Sequence, residues 1–239
     1  MEAWEKEITI YNERLDKIGQ WFPDLSNFRG KIPHIPLSYE PSEEGLVALQ
    51  ASLYIYIGCM PFANQAVQSF IMLWRSGIFT TISLPVRLIY ELWGASNYCL
   101  NVFLKAIDSD DWAVASSKIQ RLMLGARSEV PLPWGGNTVE KSIHVMDFIR
   151  SLSPIESEAE RIYDFLCESC HPSYLRLTIW SLAAPPIQNW ENERFRKHVH
   201  EILDATLSAL EKALRGISIS TVKILESALP YIESDQKKT

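Results

Sequence analysis

From Trp190 to Arg215 the chain repeats apolar side chains at helical intervals. Phe195, Val199, Ile202, Thr206, Leu210, Ala213 and Ile217 recur every three or four residues. That spacing lines them along one stripe of an α-helix. Gly216 either ends this helix or bends it. A second stripe, Trp4, Ile8, Tyr11, Leu15 and Ile18, marks a helix over residues 3 to 20. No stretch alternates apolar and polar residues at length between hairpin turns, and no repeat period emerges. Such a chain buries helix stripes against one another, so the expected fold is an all-α bundle.

The expected organisation is an N-terminal helical arm with a Pro-rich connector over residues 1–42, a bundle over 43–232 and a disordered tail over 233–239. Four prolines and a glycine lie in residues 21–42, which makes that stretch irregular. It is long for a connector, so the first helix is read as an arm packed on the body or on a neighbouring subunit. Ser42 before Glu43 and Glu44 caps a helix to about Cys59, and Pro61 opens the next, to about Arg75. A helix from about Phe79 to Ala106 carries Pro85 near its start or at a kink. Asp108–Asp111 cap another through about Arg127. A loop over 128–137 precedes a helix from Asn137 to Arg150. Ser153-Pro154-Ile155-Glu156 reads as the start of the helix that ends near His171.

Composition sets outer bounds. Hydrophobic residues make up 47% and charged residues 22%, as in ordinary globular proteins. The net charge of −6 argues against a general nucleic-acid coat, which needs a basic surface to release counterions. The opening MEAWEKEITIYNERL lacks the pattern of a signal peptide, so a cytoplasmic protein is expected. The apolar run Leu46–Trp74 is broken by Gln50, Asn64, Gln65, Gln68, Ser69 and Pro61. It is read as two buried helices rather than a membrane span.

Residues 167–174 read CESCHPSY, so Cys167, Cys170 and His171 spell a c-type haem attachment motif. On a helix, Ile155, Ala159, Ile162, Leu166 and Ser169 share one face. Cys170 borders that face, and His171 lies almost opposite. Covalent haem needs both thiols and the His at one porphyrin, a second axial ligand and an oxidising compartment. Zinc needs a fourth ligand that no other spacing supplies. Neither haem nor a metal is therefore expected, and the four cysteines are read as reduced thiols. Pro172 pushes His171 out of helical conformation, which puts it at a helix end, where it either caps a turn or faces a site. Arg194–His200 is a basic stretch that reads as a solvated face. His200 with Asp204 is a weak metal pair.

The other informative stretch is LPVRLIYELWGA, 84–95. Its only charges are Arg87 and Glu91, one helical turn apart. An ion pair among so many apolar neighbours costs desolvation that it only partly recovers. Either it is a structural bridge, or it marks a polar pocket in which Arg87 holds an anion, Glu91 orients it, and Tyr90 and Tyr98 line it.

Arg87, Glu91, Tyr163, Leu166, His171, Pro172 and Ser173 together resemble the HEPN-like helical proteins. The resemblance is to a bacterial group that carries R-x-x-x-E followed downstream by His-Pro-Ser, and it covers about residues 45–215. It implies a helical bundle, often a homodimer, of the antiviral defence or toxin–antitoxin type. In active HEPN ribonucleases an Arg-x(4–6)-His motif cleaves RNA without metal. That motif is absent here, because Leu166, Phe165 and Asp164 occupy the positions before His171. The resemblance would make His171 the general acid/base, with Arg87 or Arg176 on the phosphate and Tyr163 or Glu91 orienting. The alternatives are a non-catalytic module that binds a partner protein and a sensor that holds a small anion.

Overall fold

The computed structural model describes residues 9, 11–18, 41–78, 81–125, 141–170 and 192–236. The helices are α1 (Asn12–Lys17), α2 (Glu43–Leu53), α3 (Met60–Arg75), α4 (Ser83–Ser109), α5 (Trp112–Leu124), α6 (Val145–Ser151), α7 (Ala159–Cys170) and α8 (Glu193–Gln236). No strand lies among the described residues, so the chain is an all-α helical bundle. His171, Pro172, Ser173, Arg176 and the connector 19–40 lie outside the described residues.

Helix α4 is the hub. It packs against α3, α5, α6, α7 and α8, while α8 also runs along α2. Val86, Ile89, Tyr90, Cys99 and Phe103 of α4 are fully buried. The stripe expected on α8 is its inner face, with Val199, Ile202, Thr206, Leu210, Ala213 and Ile217 buried. Asn192 Oδ1 accepts from Phe195 N at 3.1 Å and caps the helix two residues later than the sequence suggests.

Gly216 does not end α8. The helix continues to Gln236. A Cβ on Gly216 would sit 2.1 Å from the indole of Trp93. Glycine is there to let α4 approach. Residues 233–236, expected as a disordered tail, form the last turn instead. Asp235 is buried, and its Oδ2 accepts from Ser42 N at 2.8 Å. That bond ties the end of α8 to the start of α2.

Helices α2 and α3 form one rod rather than two helices split at Pro61. The joint is a π-helical turn, Tyr54–Cys59. A proline ring clashes with the carbonyl four residues back, and a widened turn relieves that clash without breaking the rod. The 33-residue rod is apolar and long enough to cross a bilayer. Its inner face is nevertheless committed to the core through Val47, Ala51, Ile55, Ala63 and Phe70.

The Ser-Pro-Ile-Glu signal makes a turn, not a helix start. Ile155 N and Glu156 N both donate to Leu152 O at 2.8 Å, and α7 begins only at Ala159. The Glu156 carboxylate is drawn 2.6 Å from Lys212 of α8. Likewise α6 begins at Val145, capped by His144, after a non-helical stretch at 141–144, while Asn137 lies outside the described residues. At the other end of the chain the N-terminal helix packs on the body. Tyr11, Leu15 and Ile18 are buried, and the Tyr11 ring meets Trp74 edge-on at 5.6 Å.

Two predictions follow from this packing. Gly216→Ala gains about 1 kcal/mol of helix propensity. It loses about 1–3 kcal/mol to overpacking against Trp93. We expect a net fall in the urea midpoint, whereas a rise would mean that Trp93 moves freely. The second concerns pH. Burial pushes the Cys59 thiol up to about 12, only partly offset by its bond with Tyr54, and burial raises Cys99 as well. Above pH 9 the unfolded chain releases thiol protons that the folded core keeps. Stability therefore falls with rising pH, by about 1.4 kcal/mol per unit per thiol. Urea midpoints at pH 8, 9 and 10 should decline more steeply in the wild type than in Cys59→Ala.

Candidate functional site

The charged pair of α4 meets its partner on α7. Arg87 Nε donates to Glu91 Oε1 at 2.9 Å, within one helix. Tyr163 stands across from both. Its hydroxyl donates to Glu91 Oε1 at 2.7 Å and accepts from Arg87 Nη2 at 3.2 Å. The Arg87 guanidinium also lies over the Tyr163 ring, 5.5 Å from its centre, a cation–π arrangement. Three side chains on two helices thus close one triangle of hydrogen bonds.

Local sequence explains the convergence. Arg87 and Glu91 are i and i+4 on α4, so they share a face. On α7 the buried face is Ala159, Tyr163, Leu166 and Ser169. The sequence reading put Ile162 on that face, but Ile162 is only partly buried and Tyr163 takes its place. Ile155 is exposed, because the turn at 152–158 removes it from the helix. Arg87, Glu91 and Tyr163 were all expected at the site, and the fold brings them together. Tyr90 and Tyr98 were expected to line it and do not. Tyr90 packs edge-on against Trp93 at 5.3 Å, and Tyr98 packs against Phe148 at 5.8 Å.

The triangle is not sealed in a dry core. The Arg87 side chain is 35% exposed and that of Glu91 27%. Burial alone would lower the Arg87 pKa, but its bonds to Glu91 and Tyr163 outweigh burial and raise it. The guanidinium stays charged. Burial and the bond to Glu91 push the Tyr163 phenol up, with Arg87 opposing them. The phenol therefore stays protonated, as its donation to Glu91 requires. A guanidinium has five N–H donors. The two bonds to Glu91 and Tyr163 use two of them, and the remaining three have no partner among the described residues.

Cys170 closes the local picture. Burial pushes its thiol up to about 11, and the charge of Arg87 pulls in the other direction. The last turn of α7 thus lies within electrostatic reach of Arg87. Cys167 and Cys170 are free thiols. Among the described residues no three His, Cys, Asp or Glu side chains gather as a metal site. His171, the next residue after Cys170, and Arg176 are outside the described residues, so the structure does not bear on their expected roles.

The weaker His200–Asp204 pair serves another purpose. His200 Nδ1 is 3.0 Å from Tyr11 Oη. Asp204 Oδ1 accepts from Arg14 Nη1 at 2.5 Å. Arg14 also donates to both Glu211 oxygens, at 2.8 and 3.1 Å. Both residues of the pair are spent on holding α1 to α8. Other cavities lie away from the triangle. One of about 520 Å³, almost wholly apolar, flanks the π turn between Ile57, Phe62, Leu88 and Met123. Another of about 270 Å³ lies between α4 and α8.

The chain matches no protein-family model, no curated protein and no solved structure.

If Tyr163 holds the triangle together, Tyr163→Phe should cost about 1 kcal/mol, since it removes one donor and one acceptor from a half-buried network. A double-mutant cycle with Glu91→Gln should give a coupling of at least about 0.5 kcal/mol. Simple additivity would show that the hydroxyl adds nothing.

Proposed function

We propose that the chain is a HEPN-like protein of the prokaryotic defence or toxin–antitoxin type. Its RNA-facing site is built on Arg87, Glu91 and Tyr163, with His171, the residue after Cys170 in sequence, as the proton carrier. The observation that carries this reading is the state of Arg87. It is charged, half-open to solvent and braced by Glu91 and Tyr163, with three N–H donors unused among the described residues. Planar guanidinium donors of this kind suit phosphate oxygens. His171 follows Cys170 directly, one Cα step of about 3.8 Å further along the chain, and the Cys170 thiol feels the charge of Arg87.

The reaction is transesterification without metal. A base takes the proton of the RNA 2′-hydroxyl, and the 2′-oxygen attacks the adjacent phosphorus. The 5′-oxygen of the next nucleotide leaves and takes a proton from the acid. The products are a 2′,3′-cyclic phosphate and a 5′-hydroxyl. His171 is the proton carrier. Arg87 or Arg176 meets the charge that builds on the phosphate. In this reading the protein acts in the cytoplasm as a homodimer.

A second reading rests on a different aspect of the same triangle. Glu91 already compensates Arg87 and Tyr163 already bonds it. In that case the cluster is a structural clasp between α4 and α7, and the protein is a non-catalytic partner-binding or ligand-sensing subunit.

RNA cleavage separates the two. The ribonuclease reading predicts that His171→Ala abolishes cleavage with the fold intact. It also predicts that Arg87→Ala lowers the rate by about 10²–10³, the usual loss of one oxyanion donor. Retained cleavage in His171→Ala removes that residue from the mechanism. The absence of cleavage in a folded wild type, with lowered stability in Arg87→Ala, favours the clasp.

A further inference from the structure

The cavity of about 270 Å³ between α4 and α8 has an unusual charge pattern. Lys212, Arg215 and Lys223 of α8 all line it, against a single carboxylate, Glu156. That carboxylate is already 2.6 Å from Lys212. The chain as a whole carries −6, so three cations around one opening are a local reversal of sign. Lys223 forms no ion pair among the described residues.

Apart from Asn97 and Ser220, the rest of the cavity lining is apolar. Trp93 and Leu100 of α4 supply buried walls, and Ile155 and Ile219 stand exposed at its mouth, 62% and 51% accessible. Exposed isoleucines beside a cavity are surface that a ligand's apolar body would cover. The indole Nε1 of Trp93 is buried without a hydrogen-bond partner among the described residues. It lies against Gly216, which also lines the cavity. The cations ask for a negatively charged oxygen.

We infer that this cavity binds a small amphipathic anion, with its carboxylate or phosphate head among Lys212, Arg215 and Lys223 and its short apolar body between Trp93, Ile155 and Ile219. The volume lies just below the range of drug-sized sites, which limits the ligand to a small one. The inference does not depend on the RNA reading, because Arg87, Glu91 and Tyr163 do not line this cavity.

The test uses the full chain with octanoate and octyl phosphate as probes. Octanol supplies the body without the charge, and inorganic phosphate supplies the charge without the body. Calorimetric titration should show binding of at least one amphipathic anion and neither control. Comparing octanoate with octyl phosphate identifies the preferred head. Lys223→Glu, a change on an exposed helix face, should weaken that binding about tenfold or more. Tyr163→Phe should bind as the wild type does. Failure of both anions to bind, equal binding of octanol, or unchanged binding in folded Lys223→Glu would each overturn the proposal. Loss of binding in Tyr163→Phe would place the anion in the other site and overturn it equally.

Discussion

Everything in this bundle is arranged around a helix that has neighbours on nearly every side. Helix α4 touches α3, α5, α6, α7 and α8. A helix in that position keeps only a narrow solvent face, where Leu84, Leu88 and Leu104 are exposed, and its charged pair is only partly exposed. Arg87 and Glu91 are tolerated because Tyr163 reaches across from α7 and satisfies both. Without that hydroxyl a half-buried ion pair would have to rely on its own attraction, which seldom repays desolvation. The same crowding explains Gly94 and Gly216. A Cβ on Gly94 would come within 2.9 Å of the Phe148 backbone, and one on Gly216 would strike Trp93.

The two sites differ in how they treat charge. At the triangle one cation is braced by one carboxylate and one phenol, so geometry is fixed tightly and net charge is small. At the α4–α8 cavity Lys212, Arg215 and Lys223 line one opening together with the carboxylate of Glu156. The first arrangement suits positioning of a reacting or bridging phosphate. The second suits capture of a small anion with an apolar body.

Much of the fold was legible from residue spacing. The α8 stripe follows the helical period from Val199 to Ile217, and each of those positions is buried. The pair Arg87–Glu91 was legible because two charges stood alone in an apolar run. What spacing could not show was tertiary. Gly216 reads as a helix stop until Trp93 is seen against it. Ser153-Pro154 reads as a helix start, but Leu152 anchors a turn and Lys212 draws Glu156 toward α8. Pro61 reads as a break, while a π turn absorbs it. The cavity cations were missed although their signal was present. Lys212, Arg215, Ile219 and Lys223 follow a three-four-four spacing, which puts them on one face of one helix.

The proposed function turns on Arg87 as a phosphate-facing cation braced by Tyr163. Side-chain NMR of protein labelled at Arg and Tyr tests it directly, with a short RNA whose 2′-hydroxyls are methylated so that it binds without being cut. The account predicts that the Arg87 Nε–H and Tyr163 ring signals shift together and saturate as RNA is added. Unmoved Arg87 and Tyr163 signals at RNA concentrations that shift resonances elsewhere in the protein would contradict it.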